Sequence, residues 1–323
     1  MVDITVALCT KRKEPHFDWA IESLKNQTFK DFEYIIIDGH YNERKDLIKD
    51  LIEKEKSFFE CKHVPDKPSR WKGKRPAISN ARNTAIIYSK GKYIVFHDDN
   101  CKIPSNWLEK HIKWLESGHI VAGNWITYKD ENNIGPYGWE HRYLLLNKSK
   151  ESKLIGGHWF YTGNCSFPLN VAFNINGFDE ELDGEQGQED INFGIRAERK
   201  GYKIIYDPTC CVKYVLSNHT LLQDHKTQYW EDFREIDVNA IVPKKKILND
   251  GKEHFSSEWL TQKLLEDNDR YLPYGNHFNI KELLEIVNKN NYNIEKVQKE
   301  LENYIDPTIS DWRDGESVEK MVG

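Results

Sequence analysis

The run Tyr34-Ile35-Ile36-Ile37-Asp38 constrains this chain more than any other stretch. Consecutive apolar residues without alternation suit a strand buried on both faces, and such strands belong to parallel sheets covered by helices. A second run of the same kind, Tyr93-Ile94-Val95-Phe96, leads straight into His97-Asp98-Asp99-Asn100. Ile4 to Thr10 reads as a further short strand. Helical periods lie between these runs. Phe17, Ala20, Ile21 and Leu24 fall at i, i+3, i+4 and i+7; Glu43 to Ser57 is charged and helical in period; Ala77 to Ser89 places Ile78, Ala81 and Ala85 on one face. Another helix, from about Asn106 to Ser117, buries Leu108, Ile112 and Leu115 and stops at Gly118. This βαβαβ rhythm predicts an α/β fold with a mainly parallel sheet flanked by helices. Ligands of such sheets bind outside the carboxyl ends of the strands. Asp38, Asp98 and Asp99 all follow strand-like runs, so three carboxylates are expected beside one crevice.

Composition narrows the reading. The 323 residues suit one large α/β domain with a helical appendage, and 10 Trp within a 38% hydrophobic chain supply a sizeable core. Lys and Arg number 46 against 52 Asp and Glu, a net charge of -6, which argues against sequence-blind nucleic-acid binding. The apolar runs are too short to span a bilayer, and the amino terminus lacks a basic region followed by a long apolar stretch. A soluble, cytoplasmic chain is therefore expected. The 6 Cys form no C-x-x-C pair, which predicts buried free thiols in a reducing compartment and gives no zinc spacing. From 119 to 175 the chain turns aromatic, with Trp125, Trp139, Trp159, Tyr137, Tyr143, Phe160 and Tyr161. A charged helix is expected from Gln188 to Lys200 and a strand from Tyr202 to Tyr206. After about residue 240 the chain is rich in Lys, Glu and Asn and helical in pattern, with Ile294, Val297, Leu301 and Tyr304 on one face.

Four stretches, in order and at matching spacing, resemble family 2 glycosyltransferases of the GT-A fold. The first is Ser23-Leu24-Lys25-Asn26-Gln27-Thr28 followed by Phe32 to Gly39. The second is Ala81-Arg82-Asn83 ahead of Gly91 to Phe96. The third is Asp98-Asp99-Asn100 with Pro104, Trp107 and Leu108. The fourth is Asn176-Gly177-Phe178-Asp179-Glu180, then Glu189-Asp190, Arg196 and Gly201-Tyr202. The resemblance spans roughly residues 3 to 210. It implies a GT-A domain over 1–239, with a donor half to about 118 and an acceptor half from 119, and leaves 240–323 as a helical C-terminal extension. A cap packed on the catalytic domain is the first expectation for that extension; self-association into a homo-oligomer or partner docking is the second.

What the resemblance implies is an inverting, metal-dependent transfer of a sugar from a nucleoside-diphosphate sugar to a hydroxyl acceptor, a glycan or another molecule. UDP-sugars are favoured and GDP-sugars follow. The departing diphosphate calls for a hard cation, Mn²⁺ or Mg²⁺, on oxygen ligands. The acid pair supplies them: Asp99 to the metal, Asp98 to metal or ribose, with neutral Asn100 in the third position. His219 is the nearest candidate for a downstream metal histidine. Asp38 corresponds to the acid that meets the nucleobase, although Gly39 stands where many members carry a second acid. Arg82 and Thr10 join Asp38 and Asp98 as donor contacts, and the loop from Ser69 to Pro76, with four cations in six residues, is placed to fold over phosphates. Asp190 is the expected base, with Glu189 as its neighbour. Trp125, Trp159, His158 and Asn164 are the acceptor candidates. A non-catalytic nucleotide-sugar or carbohydrate module of the same fold is the alternative, and the retention of both acid pairs argues against it. A sugar-nucleotide pyrophosphorylase would carry a Gly-rich loop where Thr10 to Pro15 has none.

Overall fold

The computed structural model describes residues 2–69, 77–129, 138–183, 189–215, 245–247, 253–255, 276 and 278–304. Strands β1 (Ile4–Thr10), β2 (Phe32–Asp38), β3 (Glu60–Pro65) and β4 (Tyr93–His97) pair in parallel in the order β3-β2-β1-β4. Helices α1 (Phe17–Lys25), α2 (Tyr41–Glu55) and α3 (Ile78–Tyr88) make the crossovers. The alternation within strands explains their double burial. Val6, Leu8, Tyr34 and Ile36 face one core with α1 and Trp107 of α4 (Trp107–Leu115). Ala7, Ile35 and Ile37 face the other with α3.

Beyond β4 the sheet becomes mixed. Short β5 (Cys101–Lys102) sits at the far edge, and β6 (Ile120–Tyr128) enters from α4, whose end is turned by Gly118 at φ +77°. β7 (Gly138–Trp139) pairs with β6, α5 (His141–Leu145) follows, and β8 (Lys153–Ile155) pairs with the later strand β10. β9 (Asn164–Pro168) runs antiparallel between β4 and β6, and α6 (Leu169–Asn174) closes that corner. After α7 (Glu189–Arg199), β10 (Ile204–Val215) lies parallel to β6, completing the order β3-β2-β1-β4-β9-β6-β10-β5. The expected strand over Tyr202 to Tyr206 is thus the start of a 12-residue strand. A register shift between Asp207 and Cys211 interrupts its apolar run, and that interruption hid its length.

Of the C-terminal region, two helices pack on this body. β11 (Lys245–Ile247) and β12 (Glu253–Phe255) form a small antiparallel ladder, too short to leave a period in the sequence. Helices α8 (Ile280–Lys289) and α9 (Ile294–Tyr304) bury Ile280, Leu283, Val287, Val297 and Leu301 in the same core as α3. Tyr304, expected on that face, is exposed instead. All six cysteines are free, and burial raises every one of their thiols. Among the described residues no helix is long and apolar enough to cross a membrane.

Candidate active site

The crevice opens at the carboxyl ends of β1 to β4, where parallel register brings Thr10 level with Asp38 and Leu8 level with His97. Asp99 is buried there. Its Oδ2 accepts from the Thr10 hydroxyl at 2.5 Å, and its Oδ1 meets the Arg12 Nε at 2.7 Å. Burial pushes the Asp99 carboxyl up, against the pull of Arg12 and Thr10. Asp98 is raised too, first by burial and then by Asp99; Arg82 and Arg12 pull it down and Glu189 pushes it up. Asp98 therefore lies within the field of both acid pairs. Gly163 makes room for it, since a Cβ at that position would stand 3.0 Å from the Asp98 Oδ2.

Hard oxygen ligands suit Mn²⁺ or Mg²⁺, and the fit can be tested on the residues. Two adjacent carboxylates, both raised by burial and Asp98 raised further by the Asp99 charge, favour an added cation. The Asn100 Oδ1 is buried without a hydrogen-bond partner, while its Nδ2 donates to the Val215 carbonyl at 2.8 Å. Among the described residues no cluster of three or more His, Cys, Asp or Glu could hold a metal. The donor set is thus a carboxylate pair of the kind that binds a cation together with substrate phosphates. His219 lies outside the described residues, as do the cationic segment 70–76 and residues 184–188. Near where the family places a metal histidine stands Tyr214, which hydrogen-bonds Arg12 and feels Asp98.

The second acid pair starts α7. Arg82 of α3 donates to the Glu189 Oε1 at 2.6 Å and lies over the Phe178 ring at 5.3 Å. The expected donor contact is therefore also the counter-ion of the expected acid. Asp190 is pushed up to about 7, first by burial and then by the Glu189 charge; Arg82 and the backbone N–H groups of Ile191 and Thr162 oppose this. A carboxylate half-protonated near neutrality is matched to taking a proton from a hydroxyl.

Other expected residues divide. Asp38 lies at the crevice floor, but its oxygens are taken by Arg44, by the His63 Nε2 at 3.0 Å and by the His40 N–H at 2.8 Å, and it is wholly buried. Its neighbour Asp66, just past β3, pairs with Lys11 at 3.1 Å and keeps Oδ1 unpartnered. Asn164 corrects the expectation of a sugar contact. It is fully buried, its Nδ2 donates to the Asn124 and Cys210 carbonyls at 2.7 Å, and its Oδ1 accepts from the Trp107 Nε1 at 3.0 Å. It ties α4, β6, β9 and β10 together and has nothing left for a sugar.

Trp125 is half-buried beside Tyr161, and both rings lie within 6 Å of the buried Arg142 guanidinium, at 5.6 and 4.7 Å. Arg142 also donates to the Trp159 carbonyl at 2.9 Å. Tyr161 feels the Asp190 charge, so this aromatic shelf adjoins the base. His158 sits instead beside Glu198. That is eight residues along α7 from Asp190, roughly 12 Å of helix. Gly157 and Gly194 allow this turn to meet α7, because a Cβ on Gly157 would stand 2.4 Å from the Gly194 backbone. Arg12, Tyr214 and Arg142 were not singled out by spacing; only a cation or phenol close to a later acid could have marked them, and that closeness is tertiary.

Comparison with known proteins agrees with this geometry. A model of glycosyl transferase family 2 matches residues 5–175. An uncharacterised glycosyltransferase of Methanocaldococcus jannaschii is 31% identical over 224 residues, 67% of this chain and 71% of its own. A glucosyl-dolichyl phosphate glucuronosyltransferase of Haloferax volcanii is 23% identical over 72% of this chain and 73% of its own. In fold, the chain resembles S. aureus TarS 1–349 at TM-score 0.51 and 12% identity, over 94% of this chain and 91% of that one. The same protein in complex with UDP-GlcNAc gives 0.52 at 10% identity, over 99% and 89%. The family match, the relative from Methanocaldococcus jannaschii and the mostly parallel sheet flanked by helices together place the chain among the family 2 glycosyltransferases, with the GT-A fold.

Proposed function

We propose that this glycosyltransferase moves one sugar from a nucleoside-diphosphate sugar to a hydroxyl acceptor with inversion at the anomeric carbon. The observation that carries the reading is Asp190, held near neutrality beside Glu189 and next to an aromatic shelf. Asp190 takes the proton of the acceptor hydroxyl as that oxygen attacks the anomeric carbon. The bond from that carbon to the diphosphate oxygen breaks on the opposite face, so a single displacement inverts the configuration. Glu189 raises the basicity of Asp190 by its charge, and Arg82 pairs with Glu189 and holds it in place. Asp98 and Asp99 would hold Mn²⁺ or Mg²⁺, which would supply neutralisation of the departing diphosphate. Arg12 fixes Asp99, and Thr10 hydrogen-bonds it from β1. The base end of the donor is assigned to the β2–β3 corner that contains Asp38 and Asp66.

A UDP-sugar is the favoured donor, ahead of a GDP-sugar; the TarS structures with UDP and UDP-GlcNAc support this choice. Trp125 and Trp159 are assigned to a saccharide acceptor, whose C–H faces pack on aromatic rings. Six free cysteines suit a reducing compartment, and we assign the enzyme to the cytoplasm. A nucleotide-sugar panel, scored by hydrolysis and by thermal shift with Mn²⁺, tests the donor through binding linkage. One sugar nucleotide should raise the melting temperature, lose its effect with EDTA and be hydrolysed. Equal stabilisation with and without EDTA would remove the metal from the reading. Anomeric NMR of the product decides the stereochemistry.

A further inference from the structure

The turn over residues 175–180 is gripped from three directions. From α7, Arg196 donates to the Ile175 carbonyl and, at 2.7 Å, to the Gly177 carbonyl. From α3, Asn83 donates to the Phe178 carbonyl and accepts from the Phe178 N–H, both at 2.8 Å, and donates to Glu180 at 2.8 Å. From the C-terminal region, Asn276 donates to the Asn176 carbonyl at 2.7 Å and the Phe178 carbonyl at 2.8 Å, and accepts from the Glu180 N–H at 2.8 Å. Two residues further along, the Asn176 side chain bridges the Phe278 carbonyl and the Ile280 N–H, each at 2.8 Å. The turn is therefore the common anchor of the helix that carries Arg82, the helix that carries Asp190, and a segment about a hundred residues downstream.

The turn is also backbone-constrained. Asn176 and Gly177 both have left-handed φ, +60° and +72°. A Cβ on Gly177 would stand 2.4 Å from the Asn83 Oδ1 and 2.7 Å from the Ile280 Cδ1. Only glycine lets α3 and the C-terminal segment close on the turn together. Phe178, at the centre, carries the Arg82 guanidinium on its ring.

We infer that the C-terminal segment around Asn276 is a positioning element for the transfer step, setting Arg82 against Glu189 and Asp190 through the 175–180 turn. The inference rests on the transfer reading above. Thr10 and Arg12 hold Asp99 from the β1 end, and Arg82, expected as a donor contact, is committed to Glu189, so loosening the turn acts on the chemistry before it acts on nucleotide binding. Displacement of a catalytic group by about 1 Å costs up to about 10²-fold in rate. Asn276 has both of its amide hydrogens and its oxygen committed to the turn backbone.

The test uses the full chain. Calorimetry with UDP gives affinity and the number of sites; hydrolysis of the best sugar nucleotide from the panel gives kcat and KM. Asn276→Ala should lower kcat about tenfold or more, with KM, UDP affinity and site number unchanged. Gly177→Ala, which pushes on the turn from within, should give the same split. If Asn276→Ala does not fold, Asn276→Asp keeps the acceptor for the Glu180 N–H, loses both donors, and should show the same loss of kcat. An unaltered kcat in these variants, or a kcat that falls only in proportion to the number of UDP sites, overturns the inference alone. No UDP binding and no hydrolysis by the unchanged chain would overturn the transfer reading and this inference with it.

Discussion

The two acid pairs of this enzyme are held in opposite ways. Asp98 and Asp99 stand on the end of β4, beside β1, and their supports Thr10 and Arg12 follow from parallel register between neighbouring strands. Glu189 and Asp190 stand at the start of α7, and their supports are distant in sequence: Arg82 on α3, and a turn clasped by Arg196, Asn83 and Asn276. The corner we assign to the donor is thus a consequence of sheet geometry. The corner we assign to the acceptor is a consequence of a polar network that several helices share. Damage to the first should stay local, whereas the second can be disturbed from far away.

The largest effect should come from the acceptor corner itself. Asp190→Asn keeps the shape of the side chain but removes its basicity, and turnover should drop by about 10²–10⁴-fold. UDP affinity, read by calorimetry, should hardly change; a normal turnover would break the contrast between the corners.

The pH profile comes next. The Asp190 carboxyl is raised to about 7, so its working, unprotonated form is lost as pH falls through that value. Turnover should decline by about tenfold per pH unit below neutrality. A profile flat from pH 8 to pH 5 would place the base elsewhere.

The donor corner should answer to metal. Asp99→Asn removes one charged oxygen ligand, and Mn²⁺ affinity in the presence of UDP should weaken by about tenfold, the equivalent of about 1.4 kcal/mol. Titration of Mn²⁺ against the UDP complex measures this, and unchanged affinity would remove Asp99 from the ligand set.

The smallest effect concerns Asn164. Its loss leaves buried carbonyls and ring N–H groups unpaired, a cost of about 1–3 kcal/mol, visible as a lower melting temperature. Acceptor KM should stay the same. A rise in KM without destabilisation would return Asn164 to the acceptor site.

Sequence and structure meet most closely where function follows from local order. Tyr34 to Asp38 and Tyr93 to Asp99 carry both the burial pattern and the strand-end acids within a few residues, so the strands and the place of their acids can be read directly. The Glu189-Asp190 pair is also legible, but only through its place after Asn176-Gly177-Phe178. Its support is not, because Asn276 looks like an ordinary polar residue until folding brings it to the turn, and Arg196, though part of the fourth stretch, does not show in sequence which carbonyls it will hold. Asn164 misled for a related reason. A lone polar residue at the head of a strand has the same appearance whether it faces a sugar or four neighbouring elements. Arg12 sits only two residues past Thr10, yet nothing in a Lys- and Arg-bearing loop announces which cation will reach Asp99.

The cysteines have a practical consequence. Each of the six thiols is free and pushed up by burial, so at neutral pH they contribute little thiolate, the form that reacts with maleimides and iodoacetamides. A single cysteine introduced at an exposed position, such as Leu154→Cys on β8, would carry a fluorophore almost alone. The native chain is in that sense already a silent background for a fluorescent reporter, which can be attached without first stripping out its own sulfur.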